Sequence, residues 1–256
     1  MIELKIPLTY KIRYEKKILL IFVQMTENLP LTRVNNNNES LPFKAIIFDM
    51  DGTLLESTEA DYKAWELVFK AYGRDLSYEN YVPMLGIRSA DVIRNILGFS
   101  NENDVARVLI EKFDRFVDYV NEHPVKPVAA TDYFLNHLSQ YDVQVGLATS
   151  SRQQKTMLLL ERLDFLKYFN AIVTGEQVQN SKPAPDIFLR AAAKLNIDPQ
   201  YCLVVEDGPI GVAAAKSAGM KCIAITTTHP AEKLQQADWI IDSYDGADIA
   251  EIVRKG

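Results

Sequence analysis

Four carboxylates, a lysine and a set of hydroxyls stand where the chain leaves apolar runs. Asp49-Met50-Asp51-Gly52-Thr53-Leu54 follows the run from Ala45 to Phe48. Two carboxylates at i and i+2 face one pocket only if the chain bends sharply as it leaves the run, which Gly52 permits. Taken alone, Asp-x-Asp-Gly fits a calcium-type loop or a plain turn as well. Thr149-Ser150-Ser151 follows the run from Val143, a loop with Lys182 follows Ala171 to Thr174, and Glu206-Asp207-Gly208 follows the run from Cys202. Placed at one end of a sheet, these segments make one pocket of carboxylates, hydroxyls and an ammonium. Carboxylates so crowded repel unless a hard cation sits among them. All-oxygen ligation with a pair of carboxylates suits magnesium, with phosphate oxygens completing the shell, so a phosphate ester is the expected substrate. Individually, Thr149 and Ser150 also fit a helix cap, Lys182 a solvated surface lysine, and Glu206 with Asp207 favourable charges at a helix start.

The elements that must position these residues are legible as a repeat. Apolar runs at Ala45 to Phe48, Val143 to Ala148, Ala171 to Thr174, Cys202 to Val205, Cys222 to Ile225 and Trp239 to Ile241 are mostly continuous, as strands buried on both faces are. Helices fit between them at Arg152 to Leu163, Asp186 to Leu195 and Gly211 to Ala218, with Pro185 at one start and Gly219 just past one end. Strand and helix in alternation predict an α/β fold, a doubly wound parallel sheet whose ligands bind at the carboxyl ends of its strands. Between the first and second strands lie far more residues than one crossover helix needs. Tyr62, Trp65, Val68, Phe69 and Tyr72 recur at helical spacing, as do Val105, Val108, Leu109, Phe113, Phe116, Val117 and Val120. Thr58 with Asp61, and Ser100, are the expected caps. A helical insertion at this place sits over the strand ends, the geometry of a lid. The expected organisation is an extension over 1–43, a core over 44–57 and 128–256, and a helical cap over 58–127, with hinges near Leu55 to Thr58 and Val125 to Pro127.

Length and charge bound the alternatives. The 256 residues allow one large domain or one domain with an insertion, and 48% hydrophobic with 24% charged residues is an ordinary globular composition. The net charge is −6, with 28 basic and 34 acidic residues and no long basic run, so nucleic acid is not the expected ligand. The first 43 residues carry +2 and the remainder −8. The longest aliphatic or aromatic run, Ile18 to Val23, is far too short to span a bilayer, and it is also short for a signal peptide. The stretch after Met25, with four consecutive Asn, reads as a flexible lead-in, and Met25 is a candidate translation start. Cys202 and Cys222 lie inside apolar runs and read as buried hydrophobes of a cytoplasmic protein. His123, His137 and His229 read as surface or loop residues.

AIIFDMDGTL at 45–54 resembles the first motif of the haloacid dehalogenase superfamily, GLATSS at 146–151 the second, SKPAPDIF at 181–188 the third, and VVEDGPIGVAAAKSAGM at 204–220 the fourth. The insertion lies where members with an α-helical cap carry it, and the expected core is Rossmann-like. The resemblance implies that Asp49 is a nucleophile forming an aspartyl phosphate, and that Asp51 is general acid and then base. It implies that Thr149, the backbone around Ser150, and Lys182 hold the phosphoryl oxygens. Asp49, the carbonyl of Asp51, Glu206 and Asp207 are the implied ligands of magnesium.

Departures within the family narrow the reaction. Dehalogenases of this superfamily typically lack an Asp at position 51, and its transport ATPases carry a Lys where this chain has Met50. Phosphatase and phosphomutase remain. Enzymes similar to β-phosphoglucomutase carry a cap-hinge His, and the aligned position is Asp61. They place a phosphate-binding Arg where this chain has Ser89, one residue after Arg88. Both departures favour a hydrolase acting on a small phosphorylated metabolite. Phosphomutase is the alternative, and a non-catalytic binding module on the same fold the second. Arg88, in the turn Gly86-Ile87-Arg88-Ser89, is the candidate cap specificity residue, since a guanidinium holds phosphate or carboxylate bidentately; a solvated loop arginine fits as well.

Overall fold

A computed structural model describes residues 41–255. The expected lead-in, including Met25 and the Asn run, lies outside the described residues. Phe43, assigned to the extension from sequence, is instead buried and packs edge-on against Trp239 with ring centroids 6.4 Å apart.

Six strands, β1 (Ala45–Phe48), β2 (Gln144–Thr149), β3 (Ala171–Thr174), β4 (Cys202–Glu206), β5 (Lys221–Ile225) and β6 (Trp239–Ile241), form one parallel sheet in the order β3-β2-β1-β4-β5-β6. Chain direction across the sheet reverses at β1, which opens a crevice at its carboxyl end. The period of two explains the continuous apolar runs. Ile46, Phe48, Leu147, Leu203 and Val205 enter one core cluster, whereas Ala45, Ile47, Ala148, Cys202 and Val204 enter the other. Helices seal both faces. The first cluster includes Phe134, Leu135 and Leu138 of α3 (Thr131–Leu138) and Leu159 and Leu160 of α4 (Gln153–Arg162). The second includes Ile187, Phe188 and Ala191 of α5 (Asp186–Leu195) and Val212, Ala214 and Ala215 of α6 (Pro209–Ser217). Gly219, at φ +73°, ends α6 in the left-handed conformation that disfavours any other residue. A last helix, α7, spans Ile249–Lys255. Cys202 and Cys222 are buried free thiols. No described helix is long and apolar enough to cross a membrane.

The insertion between β1 and β2 is helical, with α1 (Thr58–Ala71) packed on α2 (Glu102–Glu122) and short turns between them. Its own cluster contains Trp65, Val68, Phe69, Tyr81, Val92, Val105 and Val108. Phe116 and Val120 at the far end of α2, with Ala60 and Ala64 of α1, belong instead to the cluster of the sheet, so these two helices tie the insertion to the core. The two connecting segments run side by side, with the Glu56 amide donating to the Lys126 carbonyl and the Val128 amide to the Leu54 carbonyl, each at 2.9 Å. The caps differ from expectation. Asn101 accepts the Asn103 amide at 2.8 Å, and neither Thr58 nor Ser100 fills that role. The hydroxyl of Ser57, ahead of α1, turns to Asp51 instead of capping its helix.

Candidate active site

The loop after β1 turns back on itself through hydrogen bonds from the Leu54 and Leu55 amides to the Met50 carbonyl and from the Gly52 amide to the Leu55 carbonyl. Gly52 sits at φ +86°, and a Cβ there would overlap the Asp207 carboxylate and Thr228, so this position excludes a side chain on two counts. The turn lets Asp49 and Asp51 face one cavity of about 270 Å³. Thr149, Ser150, Lys182, Glu206 and Asp207 line the same cavity, so every residue expected in the site converges there except Arg88.

Lys182 is 4% exposed, and its Nζ lies 2.6 Å from Asp49 Oδ1 and 2.5 Å from Glu206 Oε1. Burial works against its charge, but Asp49 and Glu206 prevail and hold the ammonium above the usual lysine range. One ammonium serves three buried carboxylates. Burial, with repulsion from Glu206, Asp207 and Asp51, pushes the Asp49 carboxyl well up despite Lys182. Burial and Glu206 push Asp207 up to about 7, against donation from Thr228 and Thr53. The donor set is all-oxygen and carries more negative charge than Lys182 offsets, which is the chemistry a divalent cation suits.

Glu206 has protein partners on both oxygens. Its Oε1 is taken by Lys182, and its Oε2 accepts the amides of Asp207 and Gly208 at 2.9 and 3.0 Å. With both oxygens engaged, Glu206 anchors Lys182 and closes the strand end. A Cβ at Gly211 would overlap this carboxylate, so the start of α6 is shaped around it. Asp49 and Asp207 line the cavity beside it and are held in turn, Asp49 by Lys182 and Asp207 by Thr53 and Thr228. Among the described residues no three His, Cys, Asp or Glu side chains form a ready-made metal cage, and magnesium, which takes one or two carboxylates plus water and phosphate, requires none.

Thr149 and Ser150 do not cap α4; Thr149 Oγ1 accepts the Ser151 amide at 3.1 Å within the turn that precedes the helix. Asp51 is held from three sides. Ser57 donates to Oδ1, Lys155 Nζ lies 2.7 Å from the same oxygen, and Ser151 donates to Oδ2 at 2.5 Å. Burial raises the Asp51 pKa, but Lys155 outweighs it and the carboxyl is held below its usual range.

Arg88 does not face the cavity as expected. Its guanidinium binds Asp91 at 2.8 and 3.2 Å and donates to the Val178 carbonyl at 2.9 Å, while Ser181 donates to Asp91 at 2.8 Å. The carboxylate three residues ahead draws the guanidinium away, and the pair clasps the insertion to the loop that carries Lys182. Sequence reasoning missed Lys155 and also His229, which lines the cavity with Nδ1 3.2 Å from the Asp207 carbonyl; Ser151, counted among the hydroxyls after β2, lines it too. Ser151 lies in the turn ahead of α4 and Lys155 in its first turn, and both reach Asp51.

Known proteins resemble this chain in sequence and in fold. The chain is 34% identical over 185 residues to a phosphorylated carbohydrates phosphatase of Thermotoga maritima, covering 70% of this chain and 83% of that protein. It is 30% identical over 210 residues to a validoxylamine A 7'-phosphate phosphatase of Streptomyces hygroscopicus subsp. limoneus, covering 78% and 93%. The crystal structure of a β-phosphoglucomutase from Clostridium difficile superposes with a TM-score of 0.76 at 26% identity, covering 83% of this chain and 96% of that one. The model for haloacid dehalogenase-like hydrolases matches residues 46–225, which contain all four loops of the site, and the chain belongs to that family.

Proposed function

We propose that the protein is a magnesium-dependent phosphatase that hydrolyses a small phosphate monoester, a sugar phosphate or similar metabolite, through an aspartyl phosphate on Asp49. The observation that carries this reading is the placing of Asp49 and Asp51 in one cavity with Lys182, Thr149 and Ser150. An Asp49 carboxylate oxygen attacks phosphorus as the ester P–O bond breaks, and Asp51, which takes up a proton from solvent once the bound phosphate dianion beside it opposes the pull of Lys155, gives that proton to the leaving alkoxide. Asp51 then takes a proton from the water that attacks the aspartyl phosphate, which releases inorganic phosphate and restores Asp49. Lys182, the Thr149 hydroxyl and the backbone at Ser150 hold the phosphoryl oxygens. Asp49, Asp207 and the Asp51 carbonyl would hold magnesium, which supplies positive charge that offsets repulsion between Asp49 and the phosphate dianion.

Hydrolysis is favoured over a mutase by the wall opposite these groups. The insertion presents Trp65, Tyr81, Val82, Met84, Leu85 and Ile87 to the cavity, and among the described residues no Lys, Arg or His of 58–127 lines it. A mutase working through a bisphosphate needs a cation for the second phosphate; of the other basic residues that line the cavity, Lys155 is committed to Asp51 and Asp61, and Lys233 and His229 belong to the core. The relatives named phosphatases support the same reading. The likeness to β-phosphoglucomutase keeps the mutase as the second reading. Two unpaired buried thiols suit a cytoplasmic setting. Free phosphate released from a panel of monoesters, with and without magnesium, tests the proposal. Magnesium-dependent release that Asp49→Asn abolishes supports it; interconversion of hexose phosphates after priming with a bisphosphate, without phosphate release, replaces it with the mutase.

A further inference from the structure

Beyond the phosphate-handling groups lies a second cluster of buried charge that the reaction leaves unexplained. Asp51, Lys155, Asp61 and Lys112 follow one another with alternating sign. Lys155 Nζ is 2.7 Å from Asp51 Oδ1 and 3.1 Å from Asp61 Oδ1, and Lys112 holds the same Asp61 oxygen. Tyr81 donates to Asp61 Oδ2 at 3.2 Å. Lys112 and Lys155 are each 6% exposed, and both stand over the Phe116 ring, at 5.8 and 5.0 Å from its centroid. Two carboxylates and two ammoniums sum to zero, which is the condition for burying them at tolerable cost.

The cluster crosses the boundary between core and insertion. Asp51 is on the β1 loop, Lys155 on α4 of the core, Asp61 on α1 and Lys112 on α2 of the insertion. Two carboxylates so close repel, so Asp61 cannot support Asp51 by itself. Lys155, placed between them, converts that repulsion into support. Of the three groups that hold the Asp51 side chain, Lys155 alone is anchored in turn by a side chain of the insertion, that of Asp61; the Ser57 carbonyl accepts the amide of the same residue at 3.0 Å. Ser57 and Lys155 both occupy Oδ1, which leaves Oδ2, with Ser151, as the oxygen that exchanges protons with substrate and water.

We infer that Lys155 is a positioning residue, which aims the Asp51 carboxyl at the ester oxygen by tying its Oδ1 to Asp61 of the insertion. Lys155 lines the cavity, but its ammonium is committed to Asp51 and Asp61. The inference rests on the phosphatase reading, in which Asp51 delivers a proton to the leaving oxygen. Its mark is dependence on the leaving group. An alkyl phosphate needs that proton, whereas a nitrophenyl phosphate expels a stable phenolate without it, and kcat/KM ends at the first irreversible step, before water is activated.

The test is the ratio of kcat/KM for the best alkyl phosphate to that for p-nitrophenyl phosphate, measured with magnesium on the full chain. Forming a ratio cancels any difference in the folded fraction. General acid catalysis contributes about 10²–10⁴-fold, and a misaimed acid forfeits part of it, so the ratio in Lys155→Met is expected to fall about 30-fold or more. Should that variant not fold, Lys155→Met with Asp61→Asn restores a net charge of zero to the cluster, and the same fall is expected. An unchanged ratio, whether from equal losses on both esters or from no loss, overturns the positioning role. A wild-type protein that releases phosphate from neither ester overturns the phosphatase reading and this inference with it.

Discussion

Replacing Lys182 with Met removes the one ammonium that touches Asp49 and Glu206 and leaves three buried carboxylates, with Asp207, to share no positive neighbour in contact. Deleting one partner of a buried pair costs about 3–5 kcal/mol, and at about 2–4 °C per kcal/mol for a domain of this size the Tm is expected to fall by roughly 6–20 °C. The direction with pH follows from the carboxyl groups. Asp207 titrates near 7 in the folded protein against 3.8 ordinarily, so the folded state holds a proton that the unfolded state has lost across that interval. Such a group stabilises at low pH, and its contribution is lost as pH rises from about 4 through about 7. Removing Lys182 pushes Asp49 and Asp207 further the same way, so the deficit of Lys182→Met is expected to be larger at pH 8 than at pH 5. Magnesium, binding the same oxygens, is expected to reduce it. Calorimetry of both proteins in chelator and in magnesium at the two pH values measures this. A Tm within about 1 °C of wild type at pH 8 in chelator would refute the view that Lys182 offsets a dry carboxylate cluster.

Arg88→Ala is expected to lower the Tm through loss of the clasp to Asp91 and the Val178 carbonyl while leaving the ranking of substrates unchanged; a changed ranking in the monoester panel would return Arg88 to the substrate. Gly211→Ala forces a methyl into the Glu206 carboxylate, and overpacking of this kind costs about 1–3 kcal/mol, read as a shift in the denaturation midpoint. Because Asp207 must lose its proton to bind a cation, magnesium affinity is expected to rise with pH up to about 7 and level off above it. Titration calorimetry in buffers of different ionisation enthalpy, on wild type and Asp207→Asn, shows proton release on the acid side that the variant reduces if this holds, and equal release from both proteins if Asp207 is not a ligand.

The sheet was legible because strands buried on both faces need no alternation, and their apolar runs end where polar loops begin. Observed strand limits differ from the runs by one residue at most, as with Gln144 for Val143 and Lys221 for Cys222. Asp49, Asp51, Thr149, Ser150, Lys182 and Asp207 were legible for the same reason, since a parallel sheet brings all its carboxyl ends to one side. What sequence did not carry is direction. Arg88 stands next to the cavity-lining Ile87 and Ser89 and yet turns outward, because Asp91 lies one helical turn ahead of it. Glu206 and Asp207 are adjacent, but backbone amides claim the first, while Thr53 and Thr228 hold the second. Lys155 and Asp61 are far apart in sequence, and nothing in the spacing of either announces that they meet; His229 lies outside every motif and reaches the site only through the loop after β5.

In the proposed reaction Asp49 carries the phosphoryl group between substrate and water. Acid quenching of a reaction with phosphate-labelled monoester, followed by peptide mapping, tests it most directly. Label is expected on the peptide containing Asp49, absent from Asp49→Asn, together with labelled inorganic phosphate in solution. Turnover with the label on another residue or on none, or phosphate release that survives in Asp49→Asn, would contradict it.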